Sequence, residues 1–233
     1  IKLTVTGGVL SVAKSQDNPQ FTLEEVDAVV AAAKDYGMWV AVHAHGSKGM
    51  KRAVIAGVDS VEHGTFMTEE VMDLMIKNNT YYVPTISAGE FVAAKSKIDN
   101  YFPEIVRQKA ASVGPQIGAT FRKAHQRGVM IAFGTDAGVN DHGTNAYEMV
   151  LMNEVGMPER AILISATINA ADLMDLTDIT GTIEAGKDAD IVATAGNPLE
   201  NISAMMRPTF VMARGNQVNL DVLPVDLFPW PEI

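Results

Sequence analysis

The sequence predicts an α/β protein built from consecutive βα units. Five short apolar segments recur along the first 133 residues, and stretches with helical apolar spacing separate them. The composition agrees: of 233 residues 47% are hydrophobic and 20% charged, which suits one or two globular domains.

The first segment alternates. Ile1, Leu3 and Val5 share one face, Lys2, Thr4 and Thr6 the other, and Gly7-Gly8 ends it. After Pro19, Thr22 and Glu25 form a capping box, Leu23, Val26, Val30 and Ala33 recur at helical spacing, and Gly37 is the stop. Met38 to Val42 is a second strand ending in His43, followed by a helix to Ala56 and a Gly57 stop. Val58 to Glu62 is a third, ending in His63. A helix then starts near Thr68, with Glu69 and Glu70 favourable in its first turn, and breaks at Asn78-Asn79. Tyr81 to Val83 is a fourth strand, ended by Pro84. Residues 88–127 read mostly as helix, with Pro103 near one start and Gly128 at the stop. Val129 to Phe133 is a fifth strand, entering Gly134-Thr135-Asp136. Helices follow at 145–155 and 158–175, the second with Pro158 in its first turn.

Such a βα succession with right-handed crossovers closes either as an open doubly wound sheet or as a (β/α)8 barrel. No GxGxxG phosphate loop follows any strand. The texture changes near residue 177. Residues 1–176 form one unit, and 177–233 a small β module with short strands at 181–183, 186–192 and 210–218, a hairpin around Gly215-Asn216, and an extended tail carrying Pro224, Pro229 and Pro231.

Eighteen basic against 28 acidic side chains give a formal net charge of −10, which argues against nucleic acid and anionic membrane as partners. No apolar run approaches the roughly 18 residues of a membrane helix. The absence of cysteine excludes disulfides, thiolate metal sites and a Cys nucleophile. The chain opens on Ile1 inside a strand, so an N-terminal part is expected to precede it, and the compartment and oligomeric state stay open.

The strand ends collect Lys2, His43, His45, His63 and Asp136. Two histidine-bearing ends with an aspartate at a third point to a metal site, and nitrogen with carboxylate donors suits Zn²⁺, Mn²⁺ or Fe²⁺ better than Ca²⁺. Lys2 is the odd member, because a neutral lysine at pH 7 costs about 4.6 kcal/mol. It is either paired with an acid or, as a neutral amine, carboxylated by CO₂ to a bridging carbamate. His43 and His45 lie on one face of a strand. His43 is preferred as the ligand, while His45 is substrate-facing, supporting, or a loop residue. His142 contacts substrate or is a plain loop residue, and Tyr82 helps a pocket or follows β-propensity alone. His125 reads as a surface helix residue. Met72, Met75, Met149 and Met152 read as core.

Lys2 with Thr6-Gly7-Gly8-Val9-Leu10-Ser11, Val42-His43-Ala44-His45-Gly46, Asp59-Ser60-Val61-Glu62-His63-Gly64 and Phe133-Gly134-Thr135-Asp136-Ala137-Gly138 together resemble the amidohydrolase superfamily, in its imidazolonepropionase-like, prolidase-type branch. So do His142-Gly143-Thr144-Asn145 before Glu148, Ala166-Thr167, Asn169-Ala170-Ala171, and the stretch from Gly181 to Val192. The resemblance implies a (β/α)8 barrel of the TIM type, of which this chain holds strands four to eight, with a β-sandwich built from both chain ends. It aligns Lys2 with a carboxylated lysine, His43 and His63 with metal ligands, and Asp136 with the aspartate that both binds metal and moves the proton. The family's strand-one His-x-His pair has no counterpart here.

The implied activity is amide or peptide-bond hydrolysis of a small substrate, such as an Xaa-Pro dipeptide or an N-acyl amino acid, by a metal-bound hydroxide at two divalent ions, zinc foremost. The implied partners are that substrate and the missing part of the same enzyme. Alternatives are a cyclic-amide hydrolase or deaminase and, in another class, a non-catalytic fragment or binding module lacking the first metal site.

Overall fold

The alternating segment at the chain start becomes β1 (Lys2–Thr4), the first of four parallel strands in a computed structural model that describes residues 1–12 and 14–220. β2 (Ala41–Ala44), β3 (Ser60–His63) and β4 (Tyr81–Val83) follow, and their order across the sheet is their order in the chain. A doubly wound sheet reverses its order at a switch point, and this one does not.

The register decides which side chains share a face. Lys2 lies beside Ala41, Thr4 beside His43, His43 beside Glu62, and Glu62 beside Val83. Neighbours in register point to the same side, so one face carries Lys2, Thr4, His43, Ser60 and Glu62. The other carries Leu3, Val42, Ala44, Val61 and Tyr82. Helices α1 (Leu23–Asp35), α2 (Ser47–Ala56) and α3 (Glu69–Asn78) supply Val26, Val30, Ala53, Val54, Val71 and Met72 to the same hydrophobic core as Val42, Ala44, Val61 and Tyr82. Their boundaries are chemical. The Thr22–Glu25 capping box forms in both directions, at 2.8 and 3.3 Å. Gly57 and Asn79 take left-handed backbone at the stops of α2 and α3.

The expected fifth strand is reduced to one parallel bridge between Tyr82 and Ile131. Tyr82 N–H donates to Met130 O (2.8 Å) and Ala132 N–H to Tyr82 O (3.0 Å). Pro84 then removes the next backbone donor, so the ladder stops. The helical stretch 88–127 divides into α4 (Ile86–Lys95) and α5 (Glu104–Arg127). Glycines let these two approach: a Cβ on Gly89 would stand 2.9 Å from Ile117 Cγ2, and one on Gly114 would stand 2.7 Å from Ala93 Cβ. After α6 (Tyr147–Glu154), the helix expected over 158–175 is broken into α7 (Glu159–Ala166) and α8 (Ile168–Leu173) at Thr167. Two residues beyond the break, Asn169 Nδ2 donates to Ile131 O (2.8 Å) and holds α8 against the last strand segment. Met72, Met75, Met149 and Met152 are all buried.

The β module is a three-stranded antiparallel sheet of β5 (Ile191–Thr194), β6 (Pro208–Ala213) and β7 (Asn216–Gln217). The strand expected at 181–183 and the first part of that at 186–192 are irregular, with Gly181 and Gly186 at positive φ. The hairpin turn is Arg214-Gly215, one residue earlier than expected. A two-residue type I′ turn needs left-handed backbone at both positions, and these two have φ of 48° and 77°. The tail with Pro224, Pro229 and Pro231 lies outside the described residues. Among the described residues β1 pairs only with β2, and Ile1, Tyr36, Met38 and Trp39 around that edge stay exposed.

Gly49 lies where α2 meets the segment just after β1, and a Cβ there would stand 2.6 Å from both Val5 O and Thr6 Cγ2. Alanine for glycine inside an exposed helix stabilises by about 1 kcal/mol. Gly49→Ala should instead destabilise by roughly 1–3 kcal/mol through overpacking. Chemical denaturation reads the sign, and a gain in stability would show that α2 does not bear on the Val5–Thr6 segment.

Candidate active site

The polar face of the sheet opens into a cavity of about 330 Å³ that brings together Lys2, His43, His45, His63 and Asp136. All five come from the C-terminal ends of parallel segments except Lys2, which starts β1. The opposite wall is apolar, with Val9, Leu10, Ala88, Val92, Ile117 and Val139. Strand parity brings His43 and His45 to the same side. It would send His63 to the other side, because His63 pairs in register with Ala44. A left-handed φ of 70° turns the chain at His63, and its ring reaches the cavity. Asp136, with φ of 55°, is turned likewise.

The three imidazoles pack against one another, with ring centroids 4.7 Å apart for His43–His45, 4.6 Å for His43–His63 and 5.0 Å for His45–His63. Burial pushes the pKa of all three down. His45 is pushed to about 3 by burial and then by His43 and Lys109. His63 falls well below the usual range through burial, then His45, His43 and Lys2. His43 is lowered by burial and by Lys2, with the Gly7 backbone opposing. All three are therefore neutral at pH 7. Threonine hydroxyls fix two of the rings: His45 Nδ1 shares a hydrogen bond with Thr65 Oγ1 (2.8 Å), and His63 Nδ1 with Thr85 Oγ1 (2.7 Å).

Lys2 is paired. Its ammonium donates to Glu62 Oε2, and Glu62 Oε1 accepts from the Ser60 hydroxyl. The paired-lysine alternative is thus the arrangement in this structure, and Glu62 is the partner that sequence reading missed. The signal was available, since Glu62 lies two strands from Lys2 with matching parity. Partial burial lifts the Asp136 carboxyl above its ordinary range, with Lys2 opposing and Glu62 adding. Also missed was Lys109. It holds the segment after β1 over the cavity by donating to Gly8 O (3.0 Å) and Ser11 O (2.6 Å).

Two expected site residues lie elsewhere. Tyr82 is fully buried, and its hydroxyl donates to His63 O (2.8 Å), so it braces the histidine from beneath and does not line the cavity. A β4 residue on the apolar face has no route to the polar one. His142 is exposed on the loop after Asp136, close to Gly138 and outside the cavity lining. His125 is half-buried on α5 and stacks on Phe121.

Neutral imidazoles and a carboxylate are the donor set of a divalent transition-metal site. His43 Nε2 is buried without a hydrogen-bond partner, which suits a nitrogen that ligates a metal. The hydroxyls on His45 and His63 play the orienting part that outer partners play at metal sites. Among the described residues, however, no three His, Asp or Glu side chains stand in a closed metal-binding arrangement. The donor chemistry fits a metal, but its geometry would need to tighten around one.

A model of the amidohydrolase family matches residues 1–218. Ochratoxinase of Aspergillus niger is 33% identical over 216 residues, which are 91% of this chain and 44% of that protein. Imidazolonepropionase of Caldanaerobacter subterraneus subsp. tengcongensis is 29% identical over 211 residues, covering 85% of this chain and 45% of that protein. Among solved structures, a Xaa-Pro dipeptidase with bound methionine in the active site superposes with a TM-score of 0.92 at 67% identity, over 94% of this chain and 54% of that one. The chain spans about half the length of the relatives it matches.

The buried imidazoles set a pH dependence for the metal-free protein. An unfolded histidine has a pKa of about 6.5, whereas folded His45 sits at about 3. Between the two, the unfolded chain binds the proton and the folded one does not. Stability is therefore full above about pH 6.5 and is lost as pH falls. In His45→Gln, the decline between pH 6 and 4 should be shallower by about 1.4 kcal/mol per pH unit. Equal slopes in denaturant titrations would mean that His45 is protonated in the pocket.

Proposed function

Because the chain belongs to the amidohydrolase family, we propose that it carries much of the active site of a metal-dependent hydrolase acting on the amide or peptide bond of a small substrate. The observation that carries this reading is the convergence of Lys2, three neutral histidines and Asp136 in one cavity, with His43 Nε2 left unpaired. The family's fold is of the TIM-barrel type. We assign β1 to β4 and the 129–133 segment as barrel strands four to eight. Residues 177–233 are then one part of a β-sandwich, and the rest of barrel and sandwich belongs to sequence outside this chain.

His43, His63, Asp136 and a carboxylated Lys2 would hold two divalent ions, zinc foremost. Such ions, when bound, supply Lewis acidity and a water of lowered pKa. The chain's own residues do the rest. Asp136, whose proton affinity is already raised, takes a proton from the attacking water and delivers it to the leaving nitrogen. Thr65 and Thr85 keep the rings of His45 and His63 from rotating. The apolar wall excludes water and receives an apolar side chain of the substrate, with His45 facing that substrate. An Xaa-Pro dipeptide or an N-acyl amino acid fits this division. It also agrees with the methionine and the N-methylphosphonate-L-proline held by the dipeptidase and prolidase structures it resembles.

In the full-length enzyme, Asp136→Asn should lower turnover of an Xaa-Pro dipeptide about 10²–10⁴-fold, with most of the metal retained. Steady-state kinetics and metal analysis on one preparation check both halves. A fully active Asp136→Asn would remove Asp136 from the proton path.

A further inference from the structure

Glu148 is a carboxylate with no exposed surface, in the first turn of α6. Burial lifts its pKa to about 7, with the Ser87 and Ile86 amides opposing and Glu90 adding. A buried acid of this kind persists only where its bonds are needed. Its two oxygens accept from the first two amides of α4: Ile86 N–H to Oε1 at 2.8 Å and Ser87 N–H to Oε2 at 2.7 Å. Of these, the Ser87 amide, at the second helical position, is one that the N-cap side chain ordinarily takes.

The N-cap here is Thr85, a residue type well suited to that task, yet its side chain makes no capping bond. Its hydroxyl is turned instead to His63 Nδ1, 2.7 Å away. The turn comes with left-handed backbone, φ 53° and ψ 47°, a strained conformation for a β-branched residue. α4 also forms the cavity wall through Ala88, Gly89 and Val92.

We infer that Glu148 is a positioning residue: by capping α4 from outside the helix, it releases the Thr85 hydroxyl to fix the His63 imidazole. The inference rests on the metal-hydrolase reading for its consequence, but not for its mechanics. Without the external cap, Thr85 would relax towards the ordinary N-cap geometry and turn its hydroxyl to the helix amides. His63 would then lose the partner that selects its tautomer.

The test uses the full protein, with Glu148→Gln, Thr85→Ala and the double variant. Nitrogen NMR of the metal-free protein reports the His63 tautomer. Competition with a chromophoric chelator reports zinc affinity. Both single variants should move the His63 Nδ1 resonance the same way and weaken zinc binding roughly 10–100-fold. The double variant should add nothing to either, because the two residues act through one bond. Glu148→Asp keeps the charge and withdraws the carboxylate by one methylene, so it should give a partial shift if Glu148→Gln does not fold. An unmoved His63 resonance in a folded Glu148 variant whose Ile86 and Ser87 amides have shifted would overturn the inference. So would additive losses in the double variant. Should the wild type bind no zinc and cleave no dipeptide, the metal-hydrolase reading fails, and the His63 resonances still decide the role of Glu148.

Discussion

Three imidazoles within 5 Å of one another can share a buried cavity only if none of them is protonated. That condition organises the rest of the site. Neutral rings still present a donor and an acceptor each, and a buried polar atom without a partner is costly. The fold answers with a hydroxyl for His45 and another for His63, each from the loop or helix start just beyond a strand end. It leaves His43 Nε2 unanswered, at the centre of the cluster. A buried ring nitrogen without a partner, beside two rings whose Nδ1 atoms are fixed, is where an external ligand would be expected.

Backbone conformation follows from the same condition. Regular strands alternate, so a sheet alone cannot aim residues from both parities at one cavity. His63, Thr85 and Asp136 all escape alternation through positive φ. None is glycine, so each carries strain that its surroundings must hold. Tyr82 grips the His63 carbonyl from beneath, and Glu148 grips the start of α4. Asp136 accepts from Val139 N–H at 3.1 Å through its own carbonyl. Asn145, three residues before Glu148, donates to the Thr135 hydroxyl (3.2 Å). One short stretch of chain thus fastens the Asp136 corner and the His63 corner together.

Most of the fold was legible because its signals are local. The Thr22 capping box, the Gly57 and Asn79 stops and the apolar runs each act within a few residues. The errors came where a distant partner decides. The 129–133 strand depends on how far β4 extends, and the 158–175 helix breaks at Thr167, just before Asn169 reaches Ile131. At the site, His43, His45, His63, Lys2 and Asp136 were visible as polar residues at strand ends. Thr65 and Thr85 were not, since a hydroxyl gives no sign in sequence of what it will touch; Glu62 was legible only through its strand parity with Lys2, and Glu148 only as part of a motif without a role. Tyr82 misled because β-propensity and parity together put it in the core.

The Lys2–Glu62 pair bears on how such a site would be loaded. As protonated lysine and carboxylate, the two cancel, which leaves the Asp136 carboxyl, with its raised pKa, and the Lys109 ammonium held over the cavity as neighbouring charges. Carboxylation of Lys2, on the proposed reading, reverses its sign. Lys2, Glu62 and Asp136 would then bring three negative charges to one cavity, beside imidazoles that burial keeps from accepting protons. Like charges 4 Å apart repel by about 4 kcal/mol at an effective dielectric of 20, so the carbamate could not persist alone. Two divalent ions carry four positive charges and would offset all three. On the proposed reading, a carboxylated Lys2 would need the charge of bound metal ions to offset it, and it would have to leave the Glu62 carboxylate to which the Lys2 ammonium donates in this structure.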